Sequence, residues 1–171
     1  MAKSEPLSEG FPPLLNDDVT FVILGSLPGV RSLEQQQYFA HPRNVFWRLM
    51  GDITGIDWQR PYAERCNQLL AVGVGLWDVL AASERHGSLD SAIIGSTAVA
   101  NDIGSLTRTN AKLRGIGFNG KKSRDLFDRL VLPTMTHLPE LLTLPSTSPA
   151  HAAMSYDEKL QHWSCIGKFL D

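Results

Sequence analysis

Residues Phe21 to Trp47 read FVILGSLPGVRSLEQQQYFAHPRNVFW. With Val19 and Thr20 before it, the apolar run that ends at Leu24 has the composition of a strand buried on both faces. It breaks at Gly25-Ser26-Leu27-Pro28-Gly29, a turn. A buried parallel strand that ends in a tight turn puts that turn at the carboxyl edge of a sheet, where α/β proteins bind ligands. A polar loop follows. Tyr38-Phe39-Ala40-His41-Pro42-Arg43-Asn44 then offers an aromatic face, an imidazole, a guanidinium and a carboxamide. That set suits a flat, polar heterocycle. From Asn44 or Val45 the chain enters a helix, because Phe46, Leu49, Met50 and Ile53 recur at helical spacing and Gly51 and Gly55 lie near its end.

The rest of the chain alternates in the same way. Pro61–Leu70 reads as a helix with proline in its first turn. Val72–Leu80 reads as a strand running into a turn and a short helix, although its pattern does not separate the two states. Gly87–Ile94 is a polar loop, and Ser96–Asn110 is expected to be helical with Ser96 or Thr97 as its cap. Lys112–Phe118 reads as a strand, Asn119-Gly120 as a turn and Lys121–Leu132 as an amphipathic helix. Leu141–Leu144 is a fourth short strand. Ser155–Leu170 is expected to be one helix opened by a capping box of Ser155 with Glu158. Strands alternating with helices give an α/β fold, a parallel sheet covered on both faces. The loops Gly25–Gly29, Asn119-Gly120 and Pro145–His151 would all leave that sheet at its carboxyl edge and share one pocket.

Composition limits the function. At 171 residues, 43% hydrophobic and 20% charged, the chain suits one soluble domain with a core. Residues 1–18 read as a polar tail and 19–171 as the domain. The apolar runs are too short or too interrupted to span a membrane, and no signal core is visible. Cys66 and Cys165 are expected to be reduced core thiols of a cytoplasmic protein. A net charge of −2 argues against a generic polyanion binder. Seven basic residues and two acids nevertheless lie between Arg108 and Arg129. That sector could meet phosphates on one face or be a solvated face with Arg124–Asp128 and Asp125–Arg129 pairs. The five histidines have no metal-ligand spacing, so neither metal nor cofactor is expected.

Four ordered motifs resemble those of the uracil-DNA glycosylase superfamily: Gly25-Ser26-Leu27-Pro28-Gly29, His41-Pro42-Arg43-Asn44 with Phe46-Trp47, Phe118-Asn119-Gly120-Lys121-Lys122, and Ser146-Thr147-Ser148-Pro149-Ala150-His151. Within it the chain is most similar to the hypoxanthine-DNA glycosylase family, then to the mismatch-specific uracil-DNA glycosylases. The resemblance runs from about Thr20 to the C-terminus. It implies a three-layer α/β/α sandwich around a four-stranded parallel sheet. It also implies a monofunctional enzyme that removes a deaminated base, hypoxanthine first, from DNA. Leu27 stands where most of the superfamily has a water-positioning Asp or Asn. In the hypoxanthine family that role passes to the residue that is Asn44 here. Aligning the Ser-Pro pairs puts Ser146 where other members carry His or Asn.

Breaking an N-glycosidic bond needs an extruded base in a pocket, donors aimed at the leaving base and a water near C1′ of the sugar. Asn44 could orient that water through its side-chain oxygen, or simply cap the helix behind it, or do both. Phe39 is the residue expected to stack on the base, with Tyr38 second. Backbone N–H groups of Gly25, Ser26, Leu27, Pro28 and Gly29, excepting the proline, could meet the base carbonyl, and Asn119 could read its edge. His41, Lys121, Lys122, Ser146, Thr147, Ser148 and His151 are the expected DNA contacts, with Met154 as a candidate wedge. The expected partner is DNA holding a deaminated base, bound by a monomer. Competing readings are a uracil-DNA glycosylase acting on G:U or G:T mismatches, a non-catalytic nucleic-acid-binding module, and a small-molecule hydrolase. The last lacks a Gly-x-Ser-x-Gly elbow.

Overall fold

The computed structural model describes residues 6–170. Residues 1–5 of the expected tail lie outside the described residues. In chain order the elements are β1 (Leu7–Glu9), β2 (Phe21–Gly25), α1 (Val30–Gln35), α2 (Phe46–Thr54), α3 (Tyr62–Ala71), β3 (Val74–Asp78), β4 (Leu80–Glu84), β5 (Val99–Ala100), α4 (Ile103–Thr109), β6 (Gly115–Asn119), α5 (Lys121–Leu130), β7 (Glu140–Leu144) and α6 (Tyr156–Trp163).

β3, β2, β6 and β7 form a four-stranded parallel sheet in that order. Every residue of β2 and of β6 is buried, as the unbroken apolar run of a central strand requires. Side chains alternate across the sheet. Phe21 and Ile23 enter a core with Phe46, Leu49 and Met50 of α2, Leu69 of α3 and Trp163 of α6. Val22 and Leu24 enter the opposite core with Ile103 of α4 and Leu126 and Phe127 of α5. The result is the expected α/β/α sandwich.

Several local expectations differ from the structure. Val72–Leu80 contains no helix: β3 runs directly into β4. The N–H groups of Val79 and Leu80 donate to the carbonyls of Gly25 (2.8 Å) and Ser26 (3.1 Å). The chain is therefore held extended along the turn after β2. β4 then leaves the main sheet and pairs antiparallel with β1 and β5. The described part of the expected tail is thus bound to the domain. β1 is an edge strand, and Leu14 exchanges two backbone hydrogen bonds with Leu76 of β3, at 2.8 and 3.0 Å.

The helix expected over Ser96–Asn110 begins only at Ile103. Asp102, not Ser96 or Thr97, caps it by accepting the Ser105 N–H at 3.1 Å. Val99 and Ala100 are strand residues because they complete the small sheet. Part of the polar loop after Gly29 is the six-residue α1, closed by Gln36 in the left-handed region (φ 53°). The Ser155–Glu158 capping box forms in both directions, at 3.2 and 2.7 Å. Beyond Trp163 the expected single helix tightens into a 3₁₀ segment, Ser164–Phe169. Cys66 is buried, but Cys165 is exposed and not a core thiol.

Candidate active site

The carboxyl ends of β2, β6 and β7 converge as the topology requires. They surround an open cavity of about 730 Å³. Three further segments reach it: the Phe39–Asn44 loop, Asp78 at the end of β3, and Ser88–Ser91 between β4 and β5. Asp78 and Ser88–Ser91 were not anticipated from the sequence. Asp78 had a signal, since it is an acid closing an apolar strand. The Ser88–Ser91 loop had none, because only the small second sheet brings it across.

The Gly25–Gly29 turn is held from behind. The Gly25 and Ser26 carbonyls accept from Val79 and Leu80. The Leu27 carbonyl accepts from Nη1 of Arg85 at 3.3 Å, and the Pro28 carbonyl from Nη2 of the same residue. In a trans peptide the N–H points opposite to the C=O. The N–H groups of Ser26, Leu27 and Gly29 therefore point away from β4 and Arg85. Leu27 is 6% exposed and packs in the core shared with α5 while touching the cavity. It can close the wall but cannot orient water.

Phe39 and Tyr38 are separated by burial. Tyr38 is buried; its hydroxyl donates to the Pro12 carbonyl at 3.0 Å and its carbonyl accepts from the Trp47 indole at 3.0 Å. Burial raises its phenol well above the ordinary value. Phe39 is half-buried and rests on Phe46, with ring centroids 4.1 Å apart. Its φ of 56° is unusual for a bulky residue, and such conformations persist only where the surroundings enforce them. The loop is tied locally as well. Nδ1 of His41 accepts the Arg43 N–H at 3.1 Å, which leaves Nε2 as the ring's other polar edge, and the His41 carbonyl accepts the Asn44 N–H at 2.9 Å. Oδ1 of Asn44 accepts the Phe46 N–H at 3.0 Å. Val45, not Asn44, is the N-cap residue of α2 and makes no side-chain cap bond; the Asn44 carboxamide, one residue earlier, satisfies the first helical N–H instead, while its second lone pair remains for another donor.

Asn119 is buried, and both ends of its side chain engage Thr147. Nδ2 donates to Oγ1 of Thr147 and Oδ1 accepts the Thr147 N–H, each at 2.9 Å. Thr147 is 1% exposed, and its carbonyl accepts the Val45 N–H at 3.2 Å. Its hydroxyl faces inward, so Thr147 is a brace between loops and not the expected phosphate contact. Asn119 is left with one N–H and one lone pair for a ligand. Ser146 and Ser148 are partly exposed, and each hydroxyl accepts a backbone N–H two residues on, at 3.2 Å. Met154 does not line the cavity, whereas the exposed Val30 and Leu89 do.

Charge divides into two layers. Lys121, Lys122, His41, Arg43 and His151 stand around the cavity. Gly120, at φ 96°, turns the chain so that Lys121 and Lys122 open α5 there. Lys112 and Arg114 precede β6 and so lie at the other edge of the sheet, about 16 Å away for a five-residue strand. Lys112 pairs there with Asp18. Arg124 pairs with Asp128 at 2.9 Å. The basic run in the sequence is therefore not one patch in space. Beneath the rim lie Asp78, Asp90 and Arg85. Arg85 is 5% exposed and lies 3.8 Å from Asp90, whose Oδ2 accepts from Ser26 Oγ at 3.2 Å. Burial and then Asp90 push the Asp78 carboxyl up to about 7, against the pull of Arg85. Among the described residues no cluster of His, Cys, Asp and Glu could hold a metal ion, and no helix is long and apolar enough to cross a membrane.

Fold and site together define an open-sheet α/β protein whose pocket combines an aromatic face, carboxamides and a basic rim. The profile of the uracil DNA glycosylase superfamily matches residues 12–165, and the chain belongs to that superfamily. A Methanosarcina acetivorans protein named hypoxanthine DNA glycosylase is 37% identical over 161 residues, which cover 94% of this chain and 98% of that one. A protein of the same name from Methanosarcina barkeri is 41% identical over 116 residues, 67% of this chain and 72% of the relative. The solution NMR structure of a candidate uracil DNA glycosylase from Methanosarcina acetivorans has a TM-score of 0.80 at 35% identity. The match covers 95% of this chain and 98% of that one.

Proposed function

We propose that the protein is a monofunctional DNA glycosylase that hydrolyses the N-glycosidic bond of a deaminated base, hypoxanthine first, in base excision repair. The observation that carries this reading is the pairing of Phe39 with Asn44 on one short loop of the cavity. A base extruded from the duplex lies against the open face of Phe39, with the Ser26, Leu27 and Gly29 amides toward its carbonyl. Asn44 holds a water through the free lone pair of Oδ1, opposite C1′. An amide cannot take the proton at neutral pH, but an oxocarbenium-like transition state needs only a weak, well-placed nucleophile. The two relatives named hypoxanthine DNA glycosylase support the choice of base, and Leu27 counts against strong uracil activity. Lys121, Lys122, His41, Ser146, Ser148 and His151 hold the DNA backbone. The enzyme acts as a cytoplasmic monomer.

The test is base release from labelled duplexes containing inosine, uracil, xanthine or normal bases only, followed by alkaline cleavage of abasic sites. Product from inosine well above the other substrates supports the reading. Product from uracil alone makes the enzyme a uracil-DNA glycosylase instead, and no product from any duplex or single strand overturns both.

A further inference from the structure

We propose that Asp78 is the general acid of this reaction, giving its carboxyl proton to the base as it departs. The inference rests on the hypoxanthine reading above. Asp78 is 4% exposed yet lines the cavity, and its Oδ2 has no hydrogen-bond partner among the described residues. It faces Gly25 across the β2–β3 ladder. A Cβ at residue 25 would lie 2.5 Å from its Oδ1, so the glycine that opens the turn is also what leaves room for the carboxyl. A buried polar group without a partner is costly, and such groups concentrate where a ligand completes them.

The neighbours of Asp78 do not complete it. Arg85, from just beyond β4, spends donors on the Leu27 and Pro28 carbonyls, and its ion pair is with Asp90 at 3.8 Å. Asp90, from the β4–β5 connection, takes the Ser26 hydroxyl and feels Lys122 of α5. Tyr38, from the loop before α2, donates its hydroxyl to Pro12. Burial and the charge of Asp90 outweigh Arg85, so the carboxyl keeps its proton to about pH 7. A neutral acid among charged neighbours is a donor ready for use.

The step balances simply. The C1′–N9 bond breaks and its electron pair goes to the purine. The Asp78 O–H proton moves to N7, so hypoxanthine leaves neutral. The water held by Asn44 forms the new C1′–O bond and releases its extra proton to solvent. Asp78 regains a proton from solvent once the base has gone.

Single-turnover rates on inosine duplex, followed from pH 5 to 9, test this with wild type and Asp78→Asn. The wild-type rate is expected to fall tenfold per unit above about pH 7, whereas Asp78→Asn is at least about 100-fold slower at pH 6 and shows no such limb. A second arm uses 7-deaza-2′-deoxyinosine, which has no N7 to protonate. Wild type should lose at least about 100-fold on it, and Asp78→Asn should lose more than tenfold less than wild type on the same change. If Asp78→Asn keeps the wild-type pH limb, or shows the full deaza penalty, the general-acid role is wrong while the glycosylase reading stands. If wild type releases no base from inosine, the hypoxanthine reading itself has failed.

Discussion

Asn119 and Thr147 exchange two hydrogen bonds, Nδ2 to Oγ1 and backbone N–H to Oδ1, each at 2.9 Å. The pair ties the end of β6 to the loop after β7, and Thr147 passes the restraint on to Val45 through its carbonyl. Three segments of the pocket thus share one buried polar junction. Removing one partner strands the other, at about 1–3 kcal/mol for each unsatisfied group. Asn119→Ala should lower stability by about that amount in urea unfolding and slow base release through a loosened loop. Thr147→Val, which leaves the Asn119–backbone bond in place, should cost less.

Asn44 separates the helix start from the chemistry. Its Oδ1 serves the Phe46 N–H, and losing one such bond costs about 1 kcal/mol. Asn44→Ala should therefore unfold only slightly earlier than wild type, yet lose more than a hundredfold in single-turnover rate. Asn44→Asp keeps an oxygen for both tasks and should retain stability and a larger share of the rate. A loss under tenfold in Asn44→Ala would make Asn44 a partner for the first helical N–H and nothing more.

What the sequence made legible follows from local physics. The β2 run, the turn after it and the Ser155 capping box are specified by neighbouring residues, and each appears where the pattern puts it. Convergence of the Gly25, Asn119 and Ser146 loops follows from parallel topology alone. What stayed hidden depends on distant partners. β4 is a strand because β1, β5 and the backbone of the Gly25 turn accept it, a tertiary fact with no signature in Leu80-Ala81-Ala82-Ser83-Glu84. Thr147 looks like any loop hydroxyl until Asn119 is placed beside it. Arg114 and Lys121 are neighbours in a basic run, yet β6 carries them to opposite edges of the sheet.

Phe39 offers a direct measure of base stacking. Its ring rests on Phe46 at 4.1 Å with the cavity alongside. Phe39→Leu keeps an apolar contact with Phe46 but removes the aromatic face. Stacking is worth about 1–3 kcal/mol per base, so the concentration for half-maximal single-turnover rate on inosine duplex should rise about 5- to 150-fold. The Tyr38→Phe change at the adjacent core position removes only the hydrogen bond to Pro12 and should leave that concentration nearly unchanged.

Asp78 also sets a pH dependence of folding that is separate from any catalytic part it plays. Its carboxyl is raised to about 7 in the folded protein, by burial first and then by Asp90, while an unfolded chain gives it an ordinary value of about 4. The folded state holds the proton more tightly, so the stabilisation is fully present below the unfolded value and is lost as pH rises through the folded one. Between pH 5 and pH 8 that loss is on the order of 3 kcal/mol, from one pKa unit being worth about 1.4 kcal/mol. Asp90, shifted in the same direction by burial, adds to it. Urea unfolding at both pH values should therefore show wild type weakening as pH rises and Asp78→Asn weakening less. Equal slopes in the two proteins would mean that Asp78 is ionised in the folded state throughout this range.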